Sequence, residues 1–244
     1  MELTSTPLQG STVVVIGGSS GIGYEVARQA RHLGATLTIT GRDAHRLEAA
    51  AETLDVADIA VLDAHDGTAL AAFFTGLAHV DHIVSMVGDS MAGGFLTTTP
   101  DIMRHVLHSK FWTNWMIGRH AATKLRAGGS LTFTSGTGGR AHDISATYVA
   151  NLGLGALVAG LAYEMAPHHR VNAIAPTFMG THTAFWKDLT AGQLEQRQAE
   201  FGKRVPLNRV GTVLEVGSAY IHLMTNAFVT GQVLAVDGGV MLDK

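Results

Sequence analysis

The sequence predicts a three-layer α/β fold: a doubly wound, mostly seven-stranded parallel sheet with helices on both faces. Two observations carry this. Short β-branched runs alternate with helical stretches almost from end to end of the 244 residues. Several of those runs are also apolar throughout, as strands covered on both sides are. The first, "STVVVIGG" (11–18), ends in glycine and runs directly into a helical pattern at 21–33. "ATLTIT" (35–40) is followed by a helix at 43–54, and "IAVLD" (59–63) by one at 67–78. "HIVSMV" (82–87) leads to a long helix at 100–127, and "SLTFTS" (130–135) to another at 146–166. "RVNAIAP" (170–176), a helix at 212–225 and "QVLAVDGG" (232–239) complete the series. Strands regularly separated by helices imply right-handed crossovers in one sheet. Residues 177–210 show little periodicity and read as a long excursion at the C-terminal edge of the sixth strand, where such loops cover ligands.

Composition narrows the function. With 46% hydrophobic and 15% charged residues the chain is ordinarily globular, and its length favours one domain over 1–244. A net charge of −3 gives no footprint for nucleic acid or an anionic membrane. The absence of cysteine excludes disulfides, thiol nucleophiles and cysteine-ligated metal, and fits a reducing cytoplasm. The N-terminal residues lack the basic and apolar regions of a signal peptide. Residues 144–163 form a 20-residue uncharged stretch, but Ser145, Thr147, Asn151 and three glycines make it too polar for a membrane span. A buried helix is the better reading. The 13 histidines include two H-x-x-H pairs without a third ligand, so no metal site is expected.

"VIGGSSGIGYEVARQ" carries Gly17, Gly21 and Gly23 in a strand–turn–helix context. Glycines there let the backbone approach a pyrophosphate seated on the helix N-terminus, which points to nucleotide binding. At the end of the second strand the acidic residue of an NAD site is missing. Thr40 and Gly41 stand there, and Arg42 follows. A guanidinium suits a 2′-phosphate, so NADP, as NADPH, is expected over NADH.

With these motifs the chain resembles the short-chain dehydrogenase/reductases of single-domain type, which have a Rossmann fold. The family's T-G-x-x-x-G-x-G stands here as residues 16–23, which places Gly17, Ser19, Ser20, Gly21, Ile22 and Gly23 at the cofactor. By the same resemblance "VLDAHD" puts Asp63 and Ala64 beside the adenine. "RVNAIAPTFMGT" puts Pro176 and Thr181 along the nicotinamide, with Thr177 replacing a family glycine. The family's N-N-A-G is Ser85-Met86-Val87-Gly88, in which Met86 cannot make the hydrogen bonds of asparagine. The resemblance implies hydride transfer between the nicotinamide and a small carbonyl or alcohol substrate, and a homodimer or homotetramer. The apolar faces of 100–127 and 144–163 would pair in that assembly.

The catalytic end departs from the family. Its reaction uses a serine that bonds the substrate carbonyl and a tyrosine that gives the proton. A lysine four residues on lowers the tyrosine pKa, and an asparagine holds a water that relays protons. Ser135 matches the serine. Aligned from its end, the helix after it puts Thr147 at the tyrosine place and Asn151 at the lysine place. Counted from Ser135, it puts Tyr148 and Leu152 there instead. Neither frame has lysine. "IMRHVLHSKFW" places Lys110 where the asparagine belongs, so lysine and asparagine look exchanged, with the ammonium entering the pocket from the opposite wall. The alternative leaves Lys110 in solvent. As a pocket ammonium it would add little to folding, so its removal is expected to leave stability nearly unchanged. His142, in the loop after Ser135, is a second candidate donor.

The expected function is therefore an NADP(H)-dependent oxidoreductase with a rearranged site: Ser135, Tyr148, Lys110 and Asn151 for catalysis, and Ser85 and Gly88 in the cofactor wall. The first rival is a cofactor-binding protein with little redox turnover, acting as a sensor or partner subunit. A non-redox enzyme of the halohydrin dehalogenase kind is disfavoured because the glycine motif is kept.

Overall fold

In the computed structural model, which describes residues 6–56, 58–179 and 189–242, seven parallel strands form one sheet. The strands are β1 (Thr12–Ile16), β2 (Thr36–Gly41), β3 (Asp58–Val61), β4 (Val80–Ser85), β5 (Leu125–Thr134), β6 (Arg170–Pro176) and β7 (Val233–Val236). Their order is β3-β2-β1-β4-β5-β6-β7. The chain walks outward from β1 to β3 and then returns to pair β4 with β1, Ile16 opposite Ser85. That reversal opens a crevice beyond the C-terminal ends of β1 and β4, where ligands of open α/β sheets bind.

Strand residues point alternately to the two faces, and β1 shows why its run is apolar without a break. Val13 and Val15 pack under α1 (Gly21–His32), α2 (Ala44–Leu54) and α8 (Val213–Thr225), with Val26, Leu47, Tyr220 and Leu223. Val14 and Ile16 face the other layer, with Phe74 of α3 (Gly67–Gly76), Ile117 and Leu154. One charge that enters this interior is Arg170, whose guanidinium donates to the Leu223, Met224 and Val229 carbonyls and so caps the end of α8.

The long helix expected at 100–127 is three pieces. α4 (Pro100–Val106) is capped by Thr99 and gives way to a π-helical turn, Leu107–Trp112, which continues into α5 (Thr113–Ala121). Residues 125–127, expected as helix, begin β5, because Leu125 pairs with Val80 ahead of an irregularity in the ladder. A second correction falls in 177–210: α7 (Ala191–Gly202) occupies much of it, nucleated by a capping box between Thr190 and Gln193.

The uncharged stretch forms α6 (Ser145–Met165). By length and composition it could cross a membrane. Its buried residues recur every three or four positions, from Ala146 and Ala150 through Leu154, Val158 and Ala162, and pack in the core. Gly153 admits the Phe111 ring of the π turn, since a Cβ there would lie 3.1 Å from it.

Candidate active site

The glycine loop after β1 has the shape a pyrophosphate requires. Gly17 has φ +90° and Gly21 φ +57°, backbone that favours glycine. A Cβ on Gly23 would overlap the Gly17 carbonyl, whereas one on Gly21 would enter open space. Ser20, the N-cap of α1, makes no side-chain capping bond, so the first amides of the helix stay available to an anion. Ser19 packs against the end of β2, where a Cβ on Gly41 would come within 2.8 Å of its hydroxyl. The next residue, Arg42, is exposed and makes no hydrogen bond or ion pair among the described residues, while Asp43 caps α2 through the Arg46 amide. These residues fit a dinucleotide with a 2′-phosphate.

Beyond β3, Asp63 accepts from the His65 amide at 3.1 Å and remains open to solvent, with Ala64 buried beside it. Burial holds the His65 imidazole below its ordinary pKa.

The wall formed after β4 is altered in a definite way. Met86 packs beneath the glycine loop, and a Cβ on Gly17 would lie 3.0 Å from its Cβ. Ser85 is fully buried, and its hydroxyl donates to Asn114 Oδ1 at 2.7 Å. Asn114 Nδ2 donates in turn to the Lys110 carbonyl (2.6 Å) and the Val87 carbonyl (3.0 Å). This asparagine ties the strand end to the π turn, a role no sequence signal announced. Only its burial and its neighbours reveal it.

The π turn directs Ser109 and Lys110 inward. Lys110 is 4% exposed, so the alternative of a solvent-facing lysine is set aside. Its stem lies on the Gly88 backbone (φ +142°), where a Cβ would come 2.8 Å from the lysine Cγ. Burial pushes the Lys110 ammonium down to about 8, opposed in part by the Asp89 carboxylate.

Ser135 follows β5, 6% exposed, its amide bonded to the Ile174 carbonyl. Asn151 reaches the next residue: Nδ2 donates to the Gly136 carbonyl at 3.1 Å, and the buried Oδ1 has no partner. Leu152 is 62% exposed, so Asn151, not Leu152, faces the serine. Thr147 is buried, and its hydroxyl is held by the Met91 amide and carbonyl. Tyr148, about 100° further round the helix, is half-buried, and His142 is exposed beside Asp143. Pro176 is buried at the end of β6, with the unpartnered hydroxyls of Thr137 and Thr177 close by. Thr181 lies outside the described residues. Among the described residues, no group of three acidic or imidazole side chains suits a metal ion.

Comparison with known proteins places this geometry. A family model described as enoyl-(acyl carrier protein) reductase matches residues 16–241. The chain is 32% identical to the bovine 3-oxoacyl-[acyl-carrier-protein] reductase, over 93% of this chain and 97% of that one. It is also 32% identical to a galactitol 2-dehydrogenase (L-tagatose-forming) of Cereibacter sphaeroides, over 95% of each. Among solved structures, Thermoplasma acidophilum aldohexose dehydrogenase superposes with a TM-score of 0.85 at 20% identity, covering 98% of this chain and 97% of that one. BdcA in complex with NADPH does so with 0.83 at 20%, covering 95% of each. The chain belongs to the short-chain dehydrogenase/reductase family.

Proposed function

We propose that this protein is an NADP(H)-dependent oxidoreductase acting on a carbonyl or alcohol, with the family's lysine and asparagine exchanged between two walls of the pocket. The burial of Lys110 carries the reading. A lysine at 4% exposure, made possible by a glycine at position 88 and a π turn, is costly to folding and needs a use. The relatives' names, a 3-oxoacyl reductase and a galactitol dehydrogenase, support carbonyl and alcohol chemistry. The bound nicotinamide supplies or accepts the hydride. Ser135 orients the substrate oxygen, and Tyr148 gives it a proton. Lys110 supplies the positive charge that offsets a developing phenolate. Asn151 presents its unpartnered Oδ1 to a water or a ribose hydroxyl.

The second reading is a cofactor-binding protein with little turnover. It is favoured by Thr147, which stands at the tyrosine place with its hydroxyl already occupied by Met91. The two separate in one experiment. NADPH oxidation is followed with a panel of 3-oxoacyl thioesters, aldoses and diketones, using the wild type, Lys110→Met and the exchange Lys110→Asn with Asn151→Lys. Turnover lost in Lys110→Met and regained in the exchange, with NADPH still bound by all three, is the expected result. An active Lys110→Met removes the role given to Lys110, and a wild type inert to the whole panel favours the binding protein.

A further inference from the structure

We propose that Asp89 and His105 form the port through which Lys110 exchanges protons with solvent; the inference rests on the catalytic reading of Lys110 given above. Each reduction consumes one proton as well as a hydride, and a lysine sealed in a wall cannot recover its proton from bulk water directly. The residue after Gly88, the glycine that seats the lysine stem, is Asp89. The Ser109 hydroxyl holds its backbone, accepting from the Asp89 amide at 3.2 Å. Its carboxylate oxygen lies 2.8 Å from His105 Nε2, and that histidine side chain is 50% exposed one turn earlier on α4. Asp89 is the carboxylate whose charge reaches Lys110. The Lys110 stem lies on Gly88, Asp89 follows that glycine, and the Asp89 carboxylate meets the half-exposed His105, so the three residues are neighbours from the buried π turn to the surface.

The transfers balance. After Tyr148 has given its proton to the substrate oxygen, the phenolate takes one from the Lys110 ammonium. The resulting amine takes one, across intervening solvent, from the protonated Asp89 carboxyl. Asp89 is protonated by the His105 imidazolium, and the imidazole recovers a proton from water or buffer. Imidazole is the side chain suited to such exchange near neutrality. In the oxidation direction every transfer reverses.

Other charges face this series. From the turn after β3, His65 senses Asp89, with Asp63, Arg42 and His108 around it. On α4, Arg104 is paired with Asp101. Tyr148 of α6 is the titratable group given a role on the substrate side. None of these bridges Asp89 to Lys110, so the Asp89–His105 pair is the route tested.

Two measurements decide it. In the cofactor-free protein with 13C-labelled lysine methylenes, the Lys110 signal is assigned by its loss in Lys110→Met and titrated with pH. Asp89→Asn is expected to lower the Lys110 midpoint; an unchanged midpoint overturns the proposal whether or not a substrate is known. In turnover at low buffer concentration, His105→Ala is expected to lower kcat by about tenfold with KM unchanged. That is less than the roughly hundredfold loss of a group touching the substrate. Added imidazole should restore it. A His105→Ala enzyme as fast as the wild type without added buffer, or slowed without response to imidazole, overturns the port. If Lys110→Met itself turns over normally, the underlying catalytic reading fails. Should Asp89→Asn not fold, His105→Gln, altered only at the half-open end, is put through both measurements.

Discussion

Replacing Lys110 by methionine should make this protein more stable. The sequence alone suggested indifference, on the premise of a solvated pocket ammonium. The structure removes that premise, because at 4% exposure the charge has lost nearly all its water. Burial that pushes the ammonium from 10.5 to about 8 corresponds to a fold that tolerates the charged form worse than solvent does. At about 1.4 kcal/mol per pH unit, the cost at pH 7 is on the order of 3 kcal/mol. It is already reduced by whatever Asp89 returns. Methionine fills nearly the same volume without the charge, so most of this cost should be recovered as added stability. For a chain of this size that corresponds to a rise in Tm of roughly 6–12 °C.

The pH dependence has a definite sign. Between about pH 8 and 10.5 the unfolded chain binds more protons at this residue than the folded one. The wild type therefore gains stability as pH rises through that window, and the gain is complete above the unfolded value. Lys110→Met lacks this contribution, so its advantage should be largest at and below pH 8 and shrink toward pH 10.5. Urea unfolding of both proteins at pH 7 and pH 10, without cofactor, reads this directly. An advantage equal at both pH values, or a destabilised variant at pH 7, would refute the claim that Lys110 carries a buried charge.

Two further outcomes concern the cofactor and the assembly. Arg42→Ala is expected to weaken NADPH binding by about tenfold, the loss of one charge-assisted hydrogen bond, and to leave NADH binding unchanged; fluorescence titration with both nucleotides tests this, and equal wild-type affinities would end the argument. The outward side chains of Trp112, Val149, Leu152 and Tyr163 are apolar and 37–88% exposed, so the expected homodimer or homotetramer should sediment as such at micromolar concentration, and a strictly monomeric profile would contradict it.

The sheet could be read from the sequence because its central strands are covered on both faces, and unbroken runs such as 11–18 carry that signal by themselves. The glycine loop was equally open, since Gly17, Gly21 and Gly23 each answer a backbone or contact requirement. The π turn was not. It adds no unusual residue to "VLHSKFW"; it changes which carbonyl pairs with which amide and so turns Ser109 and Lys110 inward. Periodicity assumes a constant 3.6 residues per turn, and that assumption is what failed. α7, by contrast, was announced by Thr190 and Gln193 at capping-box spacing, a signal that the weak apolar period around it obscured.

The same π turn explains why one sequence frame could not settle the catalytic helix. In either alignment the lysine place on α6 is judged by residues of α6, whereas in the proposed exchange its charge is supplied from a different element, the π turn. Leu152 points away from the body of the protein and Asn151 toward Ser135, which fixes the face without restoring the charge. The compensation we propose is a lysine carried inward by one irregular turn, seated on a glycine and tied at its carbonyl by Asn114. Each of these features alone has an ordinary structural explanation. Together they hold a desolvated ammonium in a fold that also leaves the Asn151 amide oxygen without a protein partner. A fold under selection for stability alone would favour methionine or leucine at such a place, so the buried charge is what the proposed chemistry explains.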